Sequence, residues 1–128
     1  MSEIRQDLQY TKDHEWVKKS ATPKVVVVGI TDFAQSALGD VTFLQLPTVG
    51  KAFSRGEILG TVESVKAVSD IYAPLSGKIV KINEALVQDP SPLNTNPFEK
   101  GWLVELEVSN ESEFSDLLSP GAYASVAQ

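Results

Sequence analysis

Short apolar runs, cut by glycine, proline and polar clusters and without a long helical period, mark this chain as mainly strand-forming. Val25–Val28 places four β-branched residues in succession, the pattern of a strand covered on both faces, and Gly29 predicts its end. Tyr10–Val17 mixes aromatic and charged residues ahead of the polar Lys18–Pro23, which predicts a first β-hairpin. Val41–Leu46, stopped by Pro47, and Ile79–Ile82 predict further strands. Trp102–Val108 alternates, with Trp102, Val104, Leu106 and Val108 on one face and Glu105 and Glu107 on the other, so a half-buried strand is expected.

Helical signals are few and short. Thr31-Asp32 offers an N-cap for a helix whose Phe33, Ala34, Ala37 and Leu38 share a face, and Gly39 supplies the stop. About two turns cannot stand alone in water, so this helix must pack on a sheet. Asn83–Leu86 begins like a capped helix, and Pro90, Pro92 and Pro97 predict an irregular loop through Lys100. Ser112 is expected to cap Glu113–Leu118, and Ser119-Pro120 to open a helix of small residues through Val126. Pro47-Thr48-Val49-Gly50-Lys51 is echoed by Pro74-Leu75-Ser76-Gly77-Lys78, each read as a turn leading into a short apolar stretch, which suits a β-domain of two similar halves.

The longest strand-compatible run, Gly56–Ala73, far exceeds the usual five or six residues, so a break is expected near its middle, at Lys66. Ile58, Gly60, Val62 and Ser64 fall on one face of the run, and Leu59, Thr61, Glu63 and Val65 on the other. Ser64-Val65-Lys66-Ala67 contains none of the Asn-Gly, Asp-Gly or Gly signals of a tight hairpin, so the break rests on length. Lys66 reads either as a solvated side chain, one of nine lysines, or as a presented amine. A primary amine on a flexible stem can form a stable amide, which arginine cannot replace although it keeps the charge.

A length of 128 residues fits one domain, 1–128, with a helical appendage from about 111 to 128. The absence of cysteine excludes a disulfide framework and a thiolate metal site, so any redox sulfur must come from a cofactor. A net charge of -6 argues against binding a nucleic-acid backbone; it keeps a small protein soluble and would steer it toward basic rims on partners. The first residues, M-S-E-I-R-Q-D-L-Q, lack a secretory signal and carry acids that a mitochondrial presequence avoids. No apolar run approaches the ~20 residues that span a bilayer. A cytoplasmic protein is expected, or the mitochondrial matrix for a processed eukaryotic form. His14, the sole histidine, lies between Asp13 and Glu15 without the second histidine of a helical zinc motif, and reads first as a structural histidine. Gly50, Gly56 and Gly60 are too widely spaced for a nucleotide loop, and Trp16 and Trp102 read as packing residues.

Thr61–Pro74, T-V-E-S-V-K-A-V-S-D-I-Y-A-P, resembles the lipoyl-lysine segment of glycine cleavage system H proteins. Further pieces match in the same order: Y-T-K-D-H-E-W-V from Tyr10, V-G-I-T-D-F-A-Q-S-A-L-G-D from Val28, L-P-T-V-G from Leu46, S-G-K-I-V-K-I-N-E-A-L from Ser76 and G-W-L from Gly101. The resemblance implies a lipoyl-type fold, a flattened two-sheet sandwich or barrel-sandwich hybrid with short peripheral and C-terminal helices. It also implies a non-enzymatic, monomeric carrier with lipoic acid in amide linkage to Lys66. Glu63, Val65, Ala67 and Asp70 would serve recognition, and His14 or Glu15 would contact the loaded arm. The partners implied are glycine decarboxylase, aminomethyltransferase and dihydrolipoyl dehydrogenase, with a lipoyl or octanoyl transferase or a lipoate ligase to load the lysine. Biotin carriers usually place their lysine between methionines, and 2-oxoacid dehydrogenase lipoyl domains usually place Asp before it. Val65, Ala67 and the lone Met1 fit neither. A lipoate relay and an unmodified interaction module are the remaining alternatives.

Overall fold

The computed structural model describes residues 3–127; Met1, Ser2 and Gln128, the ends of the expected domain, lie outside them. Among the described residues nine strands form two antiparallel sheets. The larger holds β1 (Gln9–Tyr10), β2 (Glu15–Lys19), β3 (Val25–Ile30), β5 (Ala52–Phe53), β8 (Gly77–Ile82) and β9 (Val104–Val108), in the order β1-β2-β3-β9-β8-β5. The smaller holds β4 (Val41–Gln45), β6 (Ile58–Ser64) and β7 (Val68–Tyr72), in the order β4-β6-β7. The fold is mainly β, as expected, and the sheets stay open rather than closing into a barrel.

The core lies between the sheets. Val26, Val28 and Leu106 of the larger sheet pack in one cluster with Leu44, Val62 and Ile71 of the smaller. A buried aliphatic side chain of this kind contributes roughly 1.5–3 kcal/mol. A second cluster of Leu8, Tyr10, Trp16, Phe98 and Tyr123 lies beside the first hairpin, with Tyr10 stacked on Tyr123 at 4.4 Å between ring centroids.

Val25, Val26 and Val28 are buried, matching the double-faced pattern, but β3 continues past Gly29 to Ile30. Gly29 sits opposite Trp16, and its missing side chain leaves the space that the indole fills. Helix α1 (Asp32–Leu38) starts at Thr31, whose hydroxyl accepts from Ala34 N, and ends at Gly39 with φ +78°. That left-handed conformation suits glycine.

Five local expectations are corrected. Helix α2 (Glu84–Gln88) forms after Asn83, but the Asn83 side chain does not cap it; its amide donates to Lys100 O and Trp102 O. The proline-rich stretch contains helix α3 (Pro92–Thr95), with Pro92 at its first position where no N–H is needed. Trp102 precedes β9 and packs on the second cluster, so the inward face of that strand is Val104, Leu106 and Val108. Asn110, not Ser112, caps a 3-10 helix over Glu111–Asp116, after which Leu118 bridges to Tyr10 and α4 (Pro120–Val126) follows its Ser119 cap. The repeated pentapeptides also differ in shape: Gly50 turns at φ +95°, whereas Gly77 lies in β8 against Glu107 O.

In β6 a bulge between Ile58 and Gly60 changes which face points inward, so Leu59 is buried and Ile58 exposed, contrary to strict alternation. Gly60 lies there beneath β4, and a Cβ on it would overlap the backbone carbonyl of Gln45. Because a backbone atom cannot move aside as a side chain end can, Gly60→Ala is expected to destabilise the protein by roughly 1–3 kcal/mol in urea unfolding. An unchanged midpoint would show that β4 yields freely.

Candidate functional site

The expected break at Lys66 is a hairpin turn: β6 ends at Ser64 and β7 begins at Val68. Ser64 makes the turn. Its hydroxyl accepts from Lys66 N at 3.3 Å and Ala67 N at 3.1 Å, and its N–H donates to Ala67 O at 2.8 Å. A serine hydroxyl that accepts from backbone N–H groups two and three residues on closes a turn without glycine, so the local signal of this turn is Ser64. Val65 N donates to Asp40 O at 3.1 Å, which ties the turn to the end of α1.

Lys66 is exposed at the tip, and among the described residues it enters no ion pair. Its Cε lies 3.4 Å from the position a Cβ on Gly39 would take, so the stem runs along the one residue there without a side chain. Val65 is 71% exposed and Val68 66% exposed. On the outward face of the small sheet Phe43, 48% exposed, lies opposite Glu63, which lies opposite Val68. Asp70, exposed, is on the same face two residues beyond Val68. Glu63, Val65, Ala67 and Asp70 therefore surround Lys66 or lie close below it.

His14 and Glu15 lie elsewhere. Glu15 is 2% exposed; its carboxylate accepts from Thr11 Oγ1 at 2.6 Å and from Tyr72 N at 3.3 Å. Tyr72 ends the strand that Lys66 precedes, six residues or roughly 20 Å away at 3.3 Å per residue. Glu15 lines a surface cavity of about 370 Å³ with Thr11, Lys12, Asp13, Ala73 and Pro74. His14, at φ +70°, does not line it: Nδ1 bonds Tyr123 Oη at 2.8 Å and the ring stacks on Phe33. Burial holds the His14 imidazole below its ordinary pKa, partly opposed by Asp13. Among the described residues no group of three His, Cys, Asp or Glu side chains could hold a metal ion.

Burial raises the Glu15 carboxyl from 4.5 to about 7, against the lowering effect of the Thr11 and Tyr72 hydrogen bonds. A raised carboxyl pKa favours the folded state while the group is protonated. Its contribution is full below the unfolded value and is lost as pH rises through about 7. Urea unfolding of the parent protein is expected to lose on the order of 3 kcal/mol between pH 5 and pH 8 from this group, while Glu15→Gln removes that dependence. Parallel pH profiles for the two proteins would show that Glu15 does not titrate there.

A protein-family model described as "Glycine cleavage H-protein" matches residues 8–128. The glycine cleavage system H protein of Carboxydothermus hydrogenoformans is 49% identical over 123 residues, covering 96% of this chain and 93% of the relative. That of Listeria monocytogenes is 48% identical over 123 residues, covering 96% and 97%. Among solved structures, a glycine cleavage system H protein from Mycobacterium marinum superposes with a TM-score of 0.85 at 46% identity, over 95% of this chain and 97% of that one. In sequence over nearly its whole length, and in fold, the chain belongs to the glycine cleavage H-protein family.

Proposed function

We propose that this chain is the lipoyl carrier of a glycine cleavage system, a non-enzymatic protein with lipoate in amide linkage to Lys66 Nζ. The observation that carries the reading is the placement of Lys66: exposed, without an ion-pair partner among the described residues, at the tip of a hairpin whose neighbours are small or apolar. An amine so placed reaches an acylating enzyme without first breaking a salt bridge. Amide formation removes its charge at no cost to a folded-state contact.

Lipoate bound there would supply the disulfide that takes up an aminomethyl group and two electrons. The chain's own residues provide presentation and recognition. Val65 and Ala67 leave the amine uncrowded, and Glu63 and Asp70 set negative charge on the outward face beneath it. Glu15, in its cavity beside Ala73 and Pro74, offers a carboxylate for contact with the loaded arm, whereas His14 serves by holding Tyr123. The partners of this reading are glycine decarboxylase, aminomethyltransferase and dihydrolipoyl dehydrogenase, with a lipoyl or octanoyl transferase or a lipoate ligase that loads Lys66. The protein acts as a monomer in the cytoplasm, or in the matrix for a processed organellar form. Among the described residues no helix is long and apolar enough to cross a membrane.

Incubation with a lipoate ligase, ATP and lipoate is expected to add one lipoyl mass to the 61–74 peptide and to support reconstituted glycine cleavage. Lys66→Arg keeps the charge but cannot form the amide. It is expected to abolish both while changing stability by only about 0.5 kcal/mol, as for an ordinary surface substitution. Turnover retained by Lys66→Arg would overturn the assignment.

A further inference from the structure

We infer that Asn94, on α3, is a positioning residue for the Lys66 turn, an inference that rests on Lys66 being the acylated side chain. The Asn94 amide makes three hydrogen bonds. Nδ2 donates to Gly39 O at 2.9 Å and to Gln35 Oε1 at 3.0 Å, and Oδ1 accepts from Val41 N at 2.9 Å. Gly39 O and Val41 N flank Asp40, so one side-chain amide grips the backbone on both sides of that residue, much as a neighbouring strand would.

Asp40 is the residue on which the turn leans: its carbonyl accepts from Val65 N. The Lys66 stem lies against Gly39, and Val41 pairs with Ser64 in the register of β4 and β6. The turn's hydrogen bond to Asp40, the lysine's approach to Gly39 and the pairing of Ser64 with Val41 therefore fall on one stretch, which Asn94 holds at both ends. The Ser64 bonds are internal to the turn and fix its shape. The direction in which that shape points is set by the Gly39–Val41 stretch.

Without the Asn94 amide, Gly39 O and Val41 N lose their shared partner, and Gly39, whose φ +78° carries no side-chain restraint, is free to swing. The lysine then samples a wider cone, and an enzyme that must thread Nζ into its active site has to order it on each encounter.

The test uses the full chain in its unlipoylated form. In ¹⁵N relaxation, Asn94→Ala is expected to lower the order parameters of Val65, Lys66 and Ala67 from about 0.85 toward about 0.6. It is also expected to reduce kcat/KM for lipoylation by a lipoate ligase about tenfold. Asn94→Asp, which keeps an acceptor for Val41 N but loses both donations, moves both readouts in the same direction and serves if the alanine variant does not fold. Val26→Ala, a core truncation in the larger sheet, supplies a destabilised control in which both readouts stay at their parent values. Unchanged turn dynamics in the Asn94 variants, or equal changes in Val26→Ala, would overturn the inference. If the parent protein accepts no lipoate at all, the carrier reading fails, and the relaxation data still decide what Asn94 does.

Discussion

In the register of β6 against β7, Val62 stands opposite Ser69 and Glu63 opposite Val68. A slip of one residue would turn the core side chains Val62 and Ile71 toward water and bring Glu63 and Asp70 toward the core. Each displaced aliphatic side chain would forfeit roughly 1.5–3 kcal/mol, and each carboxylate would enter an apolar layer without a partner. The hairpin is therefore held to a single register, and with it the position of its tip. The core thus fixes the register that brings Lys66 to the tip, while the Gly39–Val41 stretch sets the direction in which the turn points.

Glu15 works at the other end of the same hairpin. Its carboxylate accepts from the Tyr72 amide where β7 leaves the small sheet, and from Thr11 in the first hairpin. One buried acid thus joins the two sheets. Such a group is costly to desolvate, which explains both its raised pKa and its two hydrogen bonds. An apolar residue of similar size would pack there but would leave the Tyr72 amide without its carboxylate partner.

Patterns that depend on neighbours in sequence were legible before the structure. Val25–Val28 read as a strand covered on both sides because four β-branched side chains must all be covered. Thr31 and Gly39 read as the ends of α1 because capping and a left-handed stop are local chemistry. The break near Lys66 followed from length, and the place of Lys66 at a hairpin tip from length together with the family resemblance. What escaped was carried by partners far along the chain. Asn83 looks like a helix cap and instead serves carbonyls at residues 100 and 102. Asn94 sits in a proline-rich stretch with nothing local to distinguish it, and its partners Gly39 and Val41 lie 55 and 53 residues away. The bulge in β6 defeated strict alternation because it reflects how β6 meets β4 and β7, which no period in one strand can show.

The apolar ring around Lys66 sets a further constraint. Phe43, Val65 and Val68 lie exposed on a three-stranded sheet whose outward face would attract a second copy through apolar contact. Glu63 and Asp70 lie on the same outward face, so two copies meeting there would oppose carboxylate to carboxylate with no basic residue but Lys66 in the hairpin. Acylation would remove that last positive charge and strengthen the repulsion. A partner with a basic rim meets the same apolar ring with the opposite electrostatic sign, gaining attraction where a second copy meets repulsion. One acidic rim can in this way keep the exposed ring from its own kind while leaving it open to the enzymes that, in the proposed carrier role, would approach Lys66.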